Sequence, residues 1–256
     1  MEADLPDGFR LQVHERVEST NALALAAARD GDLGRLWIVA REQTAGRGRR
    51  GRAWVSPPGN LYATLLLADA ADLGVGNTVS FVAAVALHRA LADMIGPMAE
   101  PRLALKWPND VLCDGKKVAG ILIEGEEAGA RVVTVVGIGV NCRSHPDIAG
   151  AVPAGDLASL GFAVQPDALL LRLANRMAET LAVWDRGRNF AAIREAWLSR
   201  AAGVGAGVRV AMANAEAEGA FETVDSIGRM VVRLADGSRK TISAGDATIR
   251  FAGGSS

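Results

Sequence analysis

Gln43-Thr44-Ala45-Gly46-Arg47-Gly48-Arg49-Arg50-Gly51-Arg52-Ala53-Trp54 sets four arginines among three glycines and ends on an indole. Glycine weakens helices and strands, and guanidinium groups resist burial, so this stretch reads as a loop. It offers dense positive charge, bidentate N–H forks and backbone amides that can approach a ligand closely. A nucleotide triphosphate fits that offer, and so does a nucleic-acid backbone. The formal net charge of −1 over 256 residues favours the first, because a general nucleic-acid binder would be basic throughout.

Working outward, Leu36–Gln43 is an apolar strand that delivers the chain into the loop. Ser56-Pro57-Pro58-Gly59-Asn60 turns it, and Leu61–Leu67 is the next buried strand. Before them, residues 9–17 alternate in a strand pattern. Ser19-Thr20-Asn21 then precedes an alanine-rich helix closed by Gly31. Two readings fit those three polar residues: a helix cap alone, or a helix N-terminus that also binds a polar ligand head.

Downstream, Asn77–Ile95 has helical spacing and stops at Gly96-Pro97. His88 falls inside it without a partner at metal-ligand spacing, which reads as structural. A short strand ends in Lys106-Trp107-Pro108-Asn109-Asp110, a second strand runs to Cys113, and Asp114-Gly115 is a hairpin turn. The return strand, Lys116–Glu124, places two lysines near the Asn109-Asp110 pair. A solvated hairpin and a functional cluster account for this equally well. Arg131–Asn141 is a further strand ending in Gly137-Ile138-Gly139-Val140-Asn141. It lacks the third glycine and the following helix of a dinucleotide fingerprint, and its glycines would let a flat ring lie against the strand.

Residues 143–164 are loop-like, with Pro146, Gly150, Pro153 and Gly155 and a short helical turn near Leu157. Helices follow from Pro166 and from Phe190, with core stripes Leu170, Leu173, Met177, Leu181, Trp184 and Phe190, Ile193, Trp197. Residues 201–207 are glycine-rich. Beyond them, five short strands (Val208–Ala213, Glu218–Ile227, Met230–Leu234, Lys240–Ser243 and Ala247–Phe251) read as a small β-barrel. Cys113 and Cys142 have no C-x-x-C spacing and suit a reducing compartment. The N-terminus has no signal-peptide pattern, and no uncharged apolar run reaches membrane-spanning length. The expectation is a soluble, cytoplasmic protein without membrane attachment.

Five pieces in order resemble the biotin protein ligase family. They are Ser19-Thr20-Asn21, the Gln43–Trp54 loop, Lys106–Asp110, Lys117-Val118-Ala119-Gly120-Ile121-Leu122 and Gly137–Asn141. The resemblance implies an α/β domain around a mixed sheet over residues 1–203 and an SH3-like barrel over 204–256, in the class without an N-terminal DNA-binding domain. Biotin and ATP are the implied substrates, with Mg2+ arriving on ATP rather than in a protein cage. A biotin carboxyl carrier domain is the implied partner, no DNA binding is expected, and homodimers occur in the family. By position, Ser19, Thr20, Asn21, Gln43, Gly46, Arg47, Gly48, Arg49, Lys117 and Gly120 fall on the biotin side. Arg47, Arg49, Arg50, Arg52, Trp54, Lys106, Asn109 and Asn141 fall on the nucleotide side, and Arg49, Lys117 and Asp110 are the catalytic candidates. Two rivals are a lipoate or octanoate ligase of the same architecture and a non-enzymatic RNA-binding module built on the Gly-Arg loop.

Overall fold

The computed structural model describes residues 5–68, 73–128, 131–147, 152–212 and 215–250. Gly150, Ala213 and Phe251 lie outside the described residues. Seven strands form a mixed sheet: β1 (Arg10–Val17), β2 (Leu36–Gln43), β3 (Leu61–Leu67), β4 (Leu103–Lys106), β5 (Asp110–Cys113), β6 (Lys116–Ala128) and β7 (Arg131–Val140). Their order is β1-β2-β3-β7-β6-β5-β4, with β1 parallel to β2 and every other pairing antiparallel. β2 and β3 are apolar nearly throughout because both faces are covered, whereas β1, at the edge, is mostly exposed.

Helix α1 (Thr20–Arg29) covers one face, and α2 (Leu73–Ile95), α3 (Pro166–Trp184) and α4 (Phe190–Leu198) cover the other. The period of two explains how one strand serves both layers. Leu36, Ile38, Leu66, Val133 and Val135 pack with Ala24 and Ala28 of α1, while Trp37, Val39, Leu65, Val136 and Ile138 join the larger core with α2 and α3. α2 begins at Leu73, four residues before the expected Asn77. Within it, Thr78–Ile95 has the length and apolarity to cross a membrane, yet it carries Arg89 and Asp93 and is mostly buried in this core. The Asp114-Gly115 turn has φ of 50° and 74°, the pair of left-handed residues that a two-residue hairpin requires.

The expected five C-terminal strands form one antiparallel sheet: β8 (Gly207–Ala211), β9 (Glu216–Val224), β10 (Met230–Arg233), β11 (Arg239–Ile242) and β12 (Asp246–Arg250), in the order β11-β10-β9-β8-β12. β9 starts two residues earlier than its alternation predicts and ends three earlier, because Asp225 makes a turn, accepting hydrogen bonds from the backbone N–H of Ile227 and Arg229. The small sheet is not a detached module. Its Val208, Val210, Phe221, Val224 and Met230 belong to the same continuous core as the large sheet. Trp107 Nε1 donates to Gly228 O at 3.2 Å, and Arg194 donates to Thr223 Oγ1 at 2.9 Å.

Candidate active site

On the α1 side of β7, the side chains run Val133, Val135, Gly137, Gly139. The face is filled with valine beneath α1 and empties to glycine beyond the helix N-terminus. β6 matches it in register, with Gly120 opposite Gly139 and Leu122 opposite Gly137. A cavity of about 460 Å³ lies over this bare patch, with Gly120, Leu122, Gly137 and Gly139 in its wall.

Its polar end is built on the first turn of α1. Ser19 caps the helix by accepting from the Ala22 N–H, and Thr20 and Asn21 are almost completely buried. Gln43 Oε1 accepts from the Thr20 N–H at 2.9 Å, and Gln43 Nε2 donates to Ser56 Oγ at 3.1 Å. Asn21 Nδ2 donates to Glu124 Oε2 at 2.7 Å, while Asn21 Oδ1 accepts from Thr64 at 2.6 Å. Ser19 thus caps the helix, and Ser19, Thr20, Asn21 and Gln43 all line the cavity.

The Gln43–Trp54 loop folds back on itself. Isolated bridges pair Gln43 with Ser56 and Arg47 with Ala53, and one 3-10 turn spans Arg49–Gly51. The expected loop thus takes the form of a short hairpin with a helical tip. That geometry sorts the arginines: Arg47, Arg49 and Arg52 line the cavity, and Arg50, at φ 58° on the tip, does not. Gly46 is absent from the wall too. It sits where the loop's two arms cross, and a Cβ there would be 2.4 Å from Trp54 O.

The Trp54 indole lies on the glycine patch. A Cβ on Gly139 would stand 2.5 Å from its Nε1, and one on Gly120 would stand 3.1 Å from its Cζ3. The flat surface expected for a ring is thus covered by the chain's own ring. Lys117 Nζ sits 5.4 Å from that ring's centroid, within cation–π range.

Lys106 and Lys117 flank one carboxylate: Asp110 is 2.6 Å from Lys117 Nζ and 3.8 Å from Lys106 Nζ. Of the two lysines on the return strand, Lys117 is part of the cavity wall and Lys116 is exposed at the turn. Arg49 reaches Asn109 Oδ1 at 3.2 Å and Gly245 O at 3.3 Å, so the loop touches the C-terminal sheet domain, which also contributes Ala247 to the wall. Asn141 donates to Gly155 O at 2.9 Å and holds residues 153–157 against β6 and β7, placing Val152 and Ala154 at the rim. In all, five cations (Arg47, Arg49, Arg52, Lys106 and Lys117) and one carboxylate, Asp110, face one cavity.

Several contributors carried no motif. Thr64 is the one polar residue in an otherwise apolar β3, apart from the Tyr62 hydroxyl, and that lone hydroxyl was its signal. Glu124 follows the run Ile121-Leu122-Ile123 inside β6, which continues to Ala128 beyond the expected end at Glu124, and an acid directly after an apolar run was the corresponding hint. His145 Nδ1 meets Asp156 Oδ2 at 2.6 Å. Burial pushes Asp156 upward, but the Ser159 N–H and His145 outweigh it and leave the carboxyl below its ordinary range. His88 and both cysteines are buried away from the cavity wall. Burial lowers the His88 pKa and pushes the Cys142 thiol up to about 12.

Residues 13–141 match the family described as biotin/lipoate A/B protein ligase, and residues 204–250 match the biotin protein ligase C-terminal domain. The chain is 47% identical over 225 residues to a biotin–acetyl-CoA-carboxylase ligase of Paracoccus denitrificans, covering 85% of this chain and 92% of that protein. It is 30% identical over 249 residues to the bifunctional ligase/repressor BirA of Bacillus subtilis, covering 93% and 73% respectively. Among solved structures, a biotin protein ligase from Aquifex aeolicus in complex with biotin and ATP superposes with a TM-score of 0.77 at 26% identity, covering 94% of this chain and 98% of that one.

Proposed function

The chain belongs to the biotin protein ligase family, and from that premise we propose that it joins biotin to a lysine of a biotin carboxyl carrier domain, of the acetyl-CoA carboxylase type, through biotinyl-5′-AMP. It would act in the cytoplasm, with residues 1–203 as the catalytic domain and 204–256 as an appended SH3-like barrel.

In the first step, a biotin carboxylate oxygen attacks the α-phosphorus of ATP, and pyrophosphate leaves with the electrons of the broken P–O bond. Two anions must meet. At about 4 Å and an effective dielectric of 20, each pair of like unit charges costs about 4 kcal/mol. The observation that carries the reading is the convergence of Arg47, Arg49, Arg52, Lys106 and Lys117 on one cavity. Each charge-assisted hydrogen bond from such a group returns roughly 1.5–3 kcal/mol.

Ser19, Thr20, Asn21 and Gln43 take the polar end of biotin, and Arg47 and Gly48 wrap its carboxylate. Lys117 bridges that carboxylate and the adenylate. Lys106, Asn109, Asn141 and Trp54 form the nucleotide side. When bound with ATP, Mg2+ screens phosphate charge. Among the described residues no group of three His, Cys, Asp or Glu could hold a metal, and Asp110 is engaged by two lysines. The donor set therefore suits a metal carried by the phosphates.

In the second step, the neutral ε-amine attacks the acyl carbon, an amide forms, AMP leaves, and the amine gives up a proton. A free lysine, with a pKa of about 10.4, is neutral roughly one time in a thousand at pH 7. Asp110 orients the amine and accepts its proton.

Biotin-dependent exchange of labelled pyrophosphate into ATP tests the reading, with lipoate and octanoate run in parallel. Exchange with biotin alone is expected. Exchange with lipoate or octanoate instead would move the substrate. No exchange with any acid, together with salt-sensitive RNA binding that ATP does not displace, would overturn the enzymatic assignment.

A further inference from the structure

Glu124 does not line the cavity, yet it orients the Asn21 amide there and, through that amide, the Thr64 and Thr20 hydroxyls. Its Oε2 lies 2.7 Å from Asn21 Nδ2 and 3.2 Å from an Arg47 guanidinium nitrogen. An ionised carboxylate only accepts, so the Asn21 amide must turn its NH2 toward Glu124 and its oxygen toward Thr64. Thr64 Oγ1 is 2.6 Å from that oxygen and 2.8 Å from Thr20 Oγ1. Its single proton goes to Asn21, because a carbonyl oxygen cannot donate, and the Thr20 hydroxyl is then a donor shared between Thr64 Oγ1 at 2.8 Å and Gln43 Oε1 at 3.1 Å.

Gln43 Oε1 accepts from both the Thr20 backbone N–H at 2.9 Å and the Thr20 hydroxyl at 3.1 Å, which turns Gln43 Nε2 toward Ser56 Oγ at 3.1 Å. The Ser56 proton ends on Trp54 O at 2.8 Å. The relay runs through β6, α1, β3 and β2, and it starts at Arg47 and finishes at Trp54, both in the arginine loop. Thr20, Asn21 and Thr64 are almost completely buried, so water cannot replace a reversed partner cheaply. The hydrogens not consumed inside the relay are the second N–H of Asn21 and the second N–H of Gln43, both residues of the cavity wall.

We propose that Glu124 is a positioning residue that sets the polarity of this relay. By doing so it makes the polar end of the cavity select a ligand head that presents a hydrogen-bond acceptor. The inference rests on the biotin reading above and names the group that orders its specificity end. Thr64, equally outside the cavity wall, is the second member through which Glu124 acts.

The test uses Glu124→Gln, Thr64→Val and the double variant. KM for biotin and for ATP are read from pyrophosphate exchange, and the Asn21 side-chain amide resonances are recorded without ligand. Each single variant should raise the biotin KM about tenfold or more, since one hydrogen bond to a charged or buried partner is at stake, and leave the ATP KM within about twofold. The double variant should resemble the worse single one, because a relay broken once is broken. In Glu124→Gln the Asn21 amide should lose its hydrogen-bonded shift.

An unmoved biotin KM, equal changes in both KM values, or additive losses would overturn the proposal. If the wild type shows no exchange with biotin, the parent reading fails. The Asn21 resonance then decides the relay alone: a shift in Glu124→Gln sustains it, and none overturns it.

Discussion

Gly139→Ala probes the contact between the glycine patch and the Trp54 ring. The new Cβ would stand 2.5 Å from Trp54 Nε1, 2.6 Å from Cε2 and 2.9 Å from Cζ2, three atoms of one rigid bicycle. The indole cannot simply slide away. The Trp54 backbone donates to Gly46 O at 2.9 Å and accepts from Ser56 Oγ at 2.8 Å. It must rotate off the patch or push β7, and overpacking of this kind costs about 1–3 kcal/mol. Replacing glycine within a strand returns about 0.5–1 kcal/mol of backbone entropy. The net loss is therefore about 1–2 kcal/mol, a fall in Tm of roughly 2–8 °C at this size. Gly120→Ala is the control: its Cβ would meet the ring at 3.1 and 3.4 Å, close enough to an ordinary contact for the entropy gain to offset it. Calorimetry should rank the variants wild type ≈ Gly120→Ala above Gly139→Ala. The other four tryptophans are essentially fully buried, so acrylamide quenching reports Trp54 and should rise in Gly139→Ala alone. Equal melting points with unchanged quenching, or the reverse ranking, would refute the stacked arrangement.

Asp110→Asn removes the carboxylate between two lysines. Transfer from preformed adenylate, read in single turnovers, should fall by about 10²-fold while exchange persists; slow exchange with normal transfer would assign Asp110 to the first step. Asp156 has a depressed folded pKa, so its contribution is present above the ordinary value of 3.8 and is lost as pH falls through the folded pKa. Asp156→Asn should accordingly lower the unfolding free energy at pH 7 by about 1–3 kcal/mol, read from denaturant melts, with the difference from wild type vanishing in strong acid. An acyl-adenylate must be kept from water, so biotin plus ATP should suppress protease cleavage within residues 46–54. Unchanged cleavage would count against loop closure.

Local chemistry was legible along the chain. Ser19 as a cap, the Asp114-Gly115 turn, the paired layers implied by Leu36–Gln43 and Leu61–Leu67, and the arginine loop are each determined within a few residues. Periodicity, turn sterics and charge density act at that range. Boundaries such as Leu73 for α2 were harder, because apolar periodicity marks the interior of a helix and leaves its first turn undefined.

Register and closure decided the rest. Gly120 and Gly139 make a platform only because β6 and β7 pair with those residues opposite one another. Asn21 and Glu124 are 103 residues apart, and Arg49 and Gly245 are 196 apart. Which arginines face the cavity depends on a 3-10 turn at the loop tip, and the Trp54 ring covers the glycines only once that loop has closed. The composition of Gln43–Trp54 thus determined that dense positive charge would sit on one loop. The direction in which each cation points was left to long-range strand pairing and core packing, since no local interaction carries information across so many residues.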